Sequence, residues 1–231
     1  MLVLLHLFSC LHGSALEKVE TFEECPTRAA VVGTLQPTYS ELTNGIDPST
    51  QTGVMLLEKG LEALLLRGWM IEQAQQTIDV QYFIFSADHV GLLSTAELVE
   101  AANRGVRVRL IVDDVLAHGD ELLLRDIHFH PNIEVKVYNP TINIGKHWTE
   151  KSRNVLSDFD GINQRMHHKA LIVDGKMVVT GGRNVGDEYY DLNSDYNFRD
   201  RDVLLVGGTS SAIQSGFDFF WQDEHSVLIN E

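Results

Sequence analysis

The stretch RMHHKALIVDGKMVVTGGRNVGDEYYD, Arg165 to Asp191, sets His167 and Lys169 two residues apart, ahead of an apolar run. An Asp174-Gly175 pair, a second apolar run and Gly181-Gly182-Arg183-Asn184 follow. Two apolar runs around Asp-Gly read as strands joined by a tight hairpin turn. On a strand, side chains two apart leave the same face, so His167 and Lys169 point together. An unprotonated imidazole can attack an electrophilic phosphorus, and a neighbouring ammonium can hold the non-bridging oxygens whose charge grows in the transition state. The same pair is also compatible with two basic side chains on a polar sheet face. His168 points the opposite way and reads as a packing or hydrogen-bonding residue rather than a second base.

The elements that must position this pair can be read upstream. Residues 56–76, LLEKGLEALLLRGWMIEQAQQ, carry apolar side chains at helical spacing. The next segment, TIDVQYFIF, alternates, with Ile78, Val80, Tyr82 and Ile84 on one face. A second helical stretch, 91–106, ends at Gly105 and leads into the strand VRVRLIVDD, which closes on Asp113 and Asp114. Those two acids suit the rim of a site at a strand's C-terminal end, or equally a turn or helix N-cap. A short helix near DELLLRDIHF and a strand IEVKVYNP follow. The alternation predicts an α/β fold: a mostly parallel or mixed sheet flanked by helices. Residues 139–164 have no clean period and hold Lys146, His147, Trp148, Lys151 and Arg153. They read as a solvated connection or as a segment leaning over the site with positive charge for a phosphate.

The 231 residues carry 44% hydrophobic side chains, enough for a substantial core. A formal charge of −15 argues against a broad basic surface for gripping nucleic acid. Cys10 and Cys25 are the two cysteines, with no C-x-x-C spacing, so neither a disulfide framework nor structural zinc is implied. Three regions are expected: an apolar leader over 1–18, an irregular lead-in over 19–54, and one catalytic lobe over 55–231. The leader has signal-peptide length but no preceding Lys or Arg, and its apolar run is too short to span a bilayer as a helix. It is compatible with a degenerate export signal, with a lipoprotein-like segment ending at Cys10, or with a misassigned start.

The pattern His167-x-Lys169-x4-Asp174 with Gly181-Gly182-x-Asn184 resembles the phospholipase D superfamily. From about Met55 to Val227 the chain further resembles the first lobe of bacterial cardiolipin synthases of the C type, through IDVQYFIF, AANRGVRVRLIVDD, HPNIEVKVYNP, FRDRDVLLVGG and FDFFWQDEHSV. The resemblance implies that His167 forms a phosphohistidine and that Lys169 and Asn184 bind the phosphoryl oxygens, without a metal or other cofactor. Asp174, the third member of the catalytic motif, is expected mainly to hold the motif in place. An acid on the next strand is expected to orient the imidazole through its other nitrogen, with Asp200 the first choice and Asp202 the second. The implied substrates are a phosphatidyl donor and an alcohol acceptor at a bacterial membrane surface, on the inner membrane or its periplasmic face.

The superfamily builds one site from two such motifs, and this sequence has one. A second lobe is therefore expected as a partner, whether the chain is a piece of a two-lobe protein or forms a homodimer. A phospholipase D-type nuclease acting as a homodimer, and a catalytically silent lobe, are the alternative readings.

Overall fold

The computed structural model describes residues 39–114, 121–140 and 165–229, all within one unit. The leader, Cys10, Cys25, the start of the lead-in and the 141–164 stretch with Lys146, His147, Trp148, Lys151 and Arg153 lie outside the described residues. In chain order the elements are α1 (Tyr39–Leu42), β1 (Thr52–Leu57), α2 (Gly60–Gln73), β2 (Thr77–Tyr82), α3 (His89–Asn103), β3 (Arg107–Asp113), α4 (Glu121–His128), β4 (Ile133–Tyr138), β5 (Ala170–Val173), β6 (Met177–Gly181), β7 (Asp202–Gly207), α5 (Ser210–Gln222) and β8 (Ser226–Leu228). A 3-10 turn, Asp187–Tyr189, separates β6 from β7.

The strands form one eight-stranded mixed sheet in the order β1-β7-β6-β5-β2-β3-β4-β8. Among the described strands, parallel pairing is confined to β2–β3 and β3–β4, the stretch where α3 and α4 provide crossovers. The β5–β6 hairpin enters antiparallel to β2, and β7 and β1 continue that sense, so of the two expected forms the sheet takes the mixed one. β5 lies fourth in the order, paired on both sides, and the residues just before it carry the basic pair.

Alternation sorts the strands between two cores. Ile78 and Val80 of β2, Leu110 of β3, and Leu171 and Val173 of β5 face the larger cluster, which includes Ala63 and Met70 of α2 and Leu98 and Ala102 of α3. Ile111, Ala170, Ile172 and Val178 face the other side, against Phe217 and Trp221 of α5. Each large aliphatic or Phe side chain among these contributes about 1.5–3 kcal/mol through burial, the alanines less. Asp79 also faces α5 and is buried because it is fully paired. Arg109 grips it in two-pronged fashion (2.6 and 2.7 Å) and reaches Asp218 at 2.9 Å, while Gln214 donates to it at 2.7 Å. The Arg109 guanidinium lies 4.8 Å from the Phe217 ring centre, which seats α5 on the sheet.

β1 departs from the expected boundary at residue 55. The lead-in 19–54 already contains α1 and the first half of β1, and the helix expected from 56 starts at Gly60. The reason is that β1 is an edge strand whose residues Val54, Met55 and Leu56 are all exposed, so it shows no alternation to read.

Candidate active site

The segment before β5 is fixed from behind. Asp113, at the end of β3, is buried and accepts the Met166 backbone N–H at 2.8 Å and an Arg165 guanidinium N–H at 3.3 Å. Asp113 thereby anchors the residues that lead into His167.

His167 is exposed, and its ring lies 4.8 Å from that of Phe83, just beyond β2. Lys169 is only 6% exposed; its ammonium donates to the His167 carbonyl at 2.8 Å and lies 5.3 Å from the centre of the same Phe83 ring. Burial pulls the Lys169 pKa below the ordinary lysine range, and the nearby Asp200 charge opposes that shift. His168 emerges on the opposite face, 4.9 Å from Phe220 of α5. Its pKa is lowered by partial burial and then by its basic neighbours, Lys169 first.

Asn184 comes to the same place from β6. Its side-chain oxygen accepts the Ile84 N–H at 3.0 Å, and its amide also hydrogen-bonds the Tyr189 phenol. Burial raises the Tyr189 pKa, and that bond from Asn184 works against the rise. Phe83 thus touches His167 and Lys169 while the next residue is held by Asn184, so the three expected residues meet around the end of β2. Reciprocal bonds between Val185 and Ile84 (3.1 Å) and between Ser86 and Val185 (2.9 Å) weld the two segments together.

The two glycines of the Gly-Gly-x-Asn pattern make room for acids. A Cβ at Gly182 would collide with the Asp200 carboxylate, and one at Gly181 with that of Asp202. The acids then part company. Asp200 is half-buried and close enough to Lys169 to act on its charge, although no hydrogen bond joins it to His167 among the described residues. Asp202 is 1% exposed and bonded to Arg67 (2.9 Å), to the Arg183 guanidinium (3.3 Å) and to the Arg183 N–H (3.2 Å). The second choice for an imidazole-orienting acid is therefore corrected: Asp202 holds the core. Two arginines from distant positions claim its oxygens, which strand alternation could not reveal.

Asp174 also stands away from the chemistry. At φ 52° it occupies the hairpin turn, and its carboxylate accepts the N–H groups of Gln75 (3.0 Å), Gln76 (2.8 Å) and Thr77 (2.9 Å). The four residues of β5 separate it from Lys169, five steps or about 16 Å along an extended chain. The motif's acid ties the hairpin to the join of α2 and β2, the holding role expected of it, and it stands apart from the two basic side chains with which the motif groups it.

A loop that sequence reasoning passed over fixes Asn184 from the other side. Asp187 accepts the Val90 N–H (2.9 Å) and the His89 ring N–H (2.7 Å) at the start of α3, and its own N–H donates to Asp88 (2.7 Å). Asp191 accepts the Gly60 N–H (2.9 Å) at the start of α2. Two helix N-termini are thus capped from one short segment. Arg183 completes the clamp by donating to the carbonyls of Tyr189 (3.0 Å), Leu57 (3.1 Å) and Glu58 (2.6 Å). The signals were present as an arginine beside Asn184 and the acid-rich GDEYYD, but their partners lie elsewhere in the chain.

With this geometry in place, comparison with known proteins decides the family. The model of the family described as "Cardiolipin synthase, PLD-like domain" matches residues 69–221. The chain belongs to this family of the phospholipase D superfamily. Cardiolipin synthase C of Escherichia coli strain K12 is 38% identical over 171 residues, covering 74% of this chain and 35% of that protein. The chain thus spans about a third of the length of the curated relatives it matches. Among solved structures, NucT from Helicobacter pylori superposes with a TM-score of 0.58 at 16% identity, over 77% of this chain and 99% of that one. The phospholipase D family member Nuc from Salmonella typhimurium gives 0.55 at 16% identity, over 77% and 98%. Both share the fold of this phospholipase D-like lobe. Among the described residues no helix is long and apolar enough to cross a membrane.

Proposed function

We propose that the chain is the nucleophile-bearing half of a phospholipase D-type phosphatidyltransferase. An unprotonated His167 ring nitrogen attacks a phosphatidyl phosphorus, a P–N bond forms, and the P–O bond to the first alcohol breaks. A second alcohol, or water, then attacks the same phosphorus and releases His167. Lys169 and Asn184 hold the non-bridging oxygens, whose charge rises as the bond forms. Asp200 orients the imidazole and stabilises the cation formed on attack. The departing alcohol takes its proton from a second histidine, supplied by a second lobe or a second copy at a membrane surface. One observation carries this reading: the exposed His167 and the buried Lys169 share the Phe83 ring, beside the residue that Asn184 binds. The similarity to E. coli cardiolipin synthase C favours lipid over nucleic acid as substrate.

A bis(p-nitrophenyl) phosphate burst separates the nucleophile from the missing acid, because nitrophenolate leaves without needing a proton. One nitrophenolate should be released per chain, leaving a phosphoramidate on His167 that survives alkaline denaturing quench, and His167→Ala should give none. An undiminished burst from His167→Ala would overturn the assignment.

A further inference from the structure

Beyond the phosphate-holding residues lies an ordered loop that they do not use. Residues 192–198 are folded on Asn193, whose side-chain oxygen accepts the Asp195 N–H (2.9 Å) and whose carbonyl accepts the Asn197 amide (3.0 Å). The Phe198 N–H donates to the Glu188 carbonyl at 2.8 Å. This fixed loop nonetheless presents apolar side chains to water: Tyr196 is 57% exposed, Phe198 45% and Leu192 39%. The rings are continuous with the site. Tyr196 packs edge-on against Phe198 at 5.5 Å, Phe198 lies 5.0 Å from Tyr189, and Tyr189 is bonded to Asn184.

Exposed rings beside a phosphate site could serve a nucleobase or a lipid, and charge decides between them. Residues 187–200 carry five carboxylates (Asp187, Glu188, Asp191, Asp195 and Asp200) against the single Arg199. A nucleic acid repeats a phosphate at every nucleotide and would set the next one against these acids. A phospholipid brings one phosphate, which Lys169 and Asn184 hold, with an uncharged glyceryl and acyl portion beside it. Aromatic rings with a polar tip suit the boundary between headgroup and acyl chain.

We infer that Leu192, Tyr196 and Phe198 form the lipid-contacting subsite, seating the glyceryl and proximal acyl portion of the phosphatidyl group at the bilayer surface. The inference rests on the phosphatidyltransferase reading, but its test is binding at a stated position and does not need turnover. In the full chain, Tyr196→Trp places an indole on the loop. Vesicles of phosphatidylcholine and phosphatidylglycerol (1:1) with brominated acyl chains should quench that indole well beyond the quenching of the parent protein's own tryptophans. Tyr196→Ser/Phe198→Ser should weaken vesicle affinity at this site about tenfold or more, from two lost aromatic burials, with its melting temperature unchanged. A double variant that melts early is replaced by Tyr196→Ser alone, for which a several-fold loss is expected. No added quenching in Tyr196→Trp, or protection of the indole by a single-stranded oligonucleotide rather than by vesicles, would overturn the subsite. A failed His167 burst with intact quenching would instead count against the catalytic reading alone.

Discussion

Replacing Asp174 by alanine should cost folding stability and spare the chemistry. The carboxylate accepts three backbone N–H groups, of which those of Gln75 and Gln76 belong to exposed residues that water can partly satisfy. At about 0.5–1 kcal/mol each, their loss amounts to about 2 kcal/mol. Alanine at φ 52° adds about 1 kcal/mol of left-handed strain. A total of about 3 kcal/mol corresponds to a fall in Tm of roughly 6–12 °C for a unit of this size. Asp174→Asn tolerates the backbone angle and keeps one acceptor oxygen, so it should lose about 1 kcal/mol. Thermal unfolding followed by circular dichroism would rank the three proteins. The nitrophenolate burst, taken well below each Tm, should keep its amplitude in both variants. An unchanged Tm with a lost burst would refute this account and return Asp174 to the reacting group.

Other outcomes follow from the same geometry. Hydrolysis of a diester with a poor leaving group should rise more than linearly with protein concentration, or on supplying a second lobe, since general-acid help is worth about 10² to 10⁴ in rate; a linear dependence at full turnover would place the acid within one chain. The burst rate should fall at alkaline pH earlier than an ordinary lysine would dictate, because burial lowers the Lys169 pKa, and Asp200→Asn should move that fall to lower pH still by removing the opposing charge. Asp202→Asn should destabilise by about 3–5 kcal/mol, measured by urea unfolding, because it strands two buried guanidinium groups. The His89 pKa is raised by its bond to Asp187 and by that residue's charge. The stability difference between wild type and His89→Gln should therefore be full below the ordinary histidine range and shrink as pH rises through the raised value.

What could be read from the chain depended on whether the deciding contact was local. The shared direction of His167 and Lys169 and the opposite one of His168 follow a two-residue period, although the three precede β5 rather than lying on the expected strand, and the Asp174-Gly175 turn follows from its dipeptide. Asp174 and Asp202 are different, because their meaning lies with Gln75–Thr77, Arg67 and Arg183, 19 to 135 positions away. No period marks such pairings. β1 escaped for a related reason: an edge strand with three consecutive exposed apolar residues resembles neither a half-buried strand nor an amphipathic helix. Phe83 was legible as part of a strand, but its place beneath the two basic side chains needed the β2–β5 pairing.

The double cap made by Asp187 and Asp191 divides this region into parts with different freedom to evolve. Between Asn184 and Asp191 the chain must span two helix starts with a set number of residues, so an insertion or deletion there would uncap a helix and displace the phosphate site together. After Asp191 that obligation ends, and the loop to Phe198 is held mainly by its own asparagine turn. Its length and its aromatic residues can drift while the half of the site that meets phosphorus stays in register. On the proposed reading, the lipid-contacting loop is thus free to change without rebuilding the residues that surround His167.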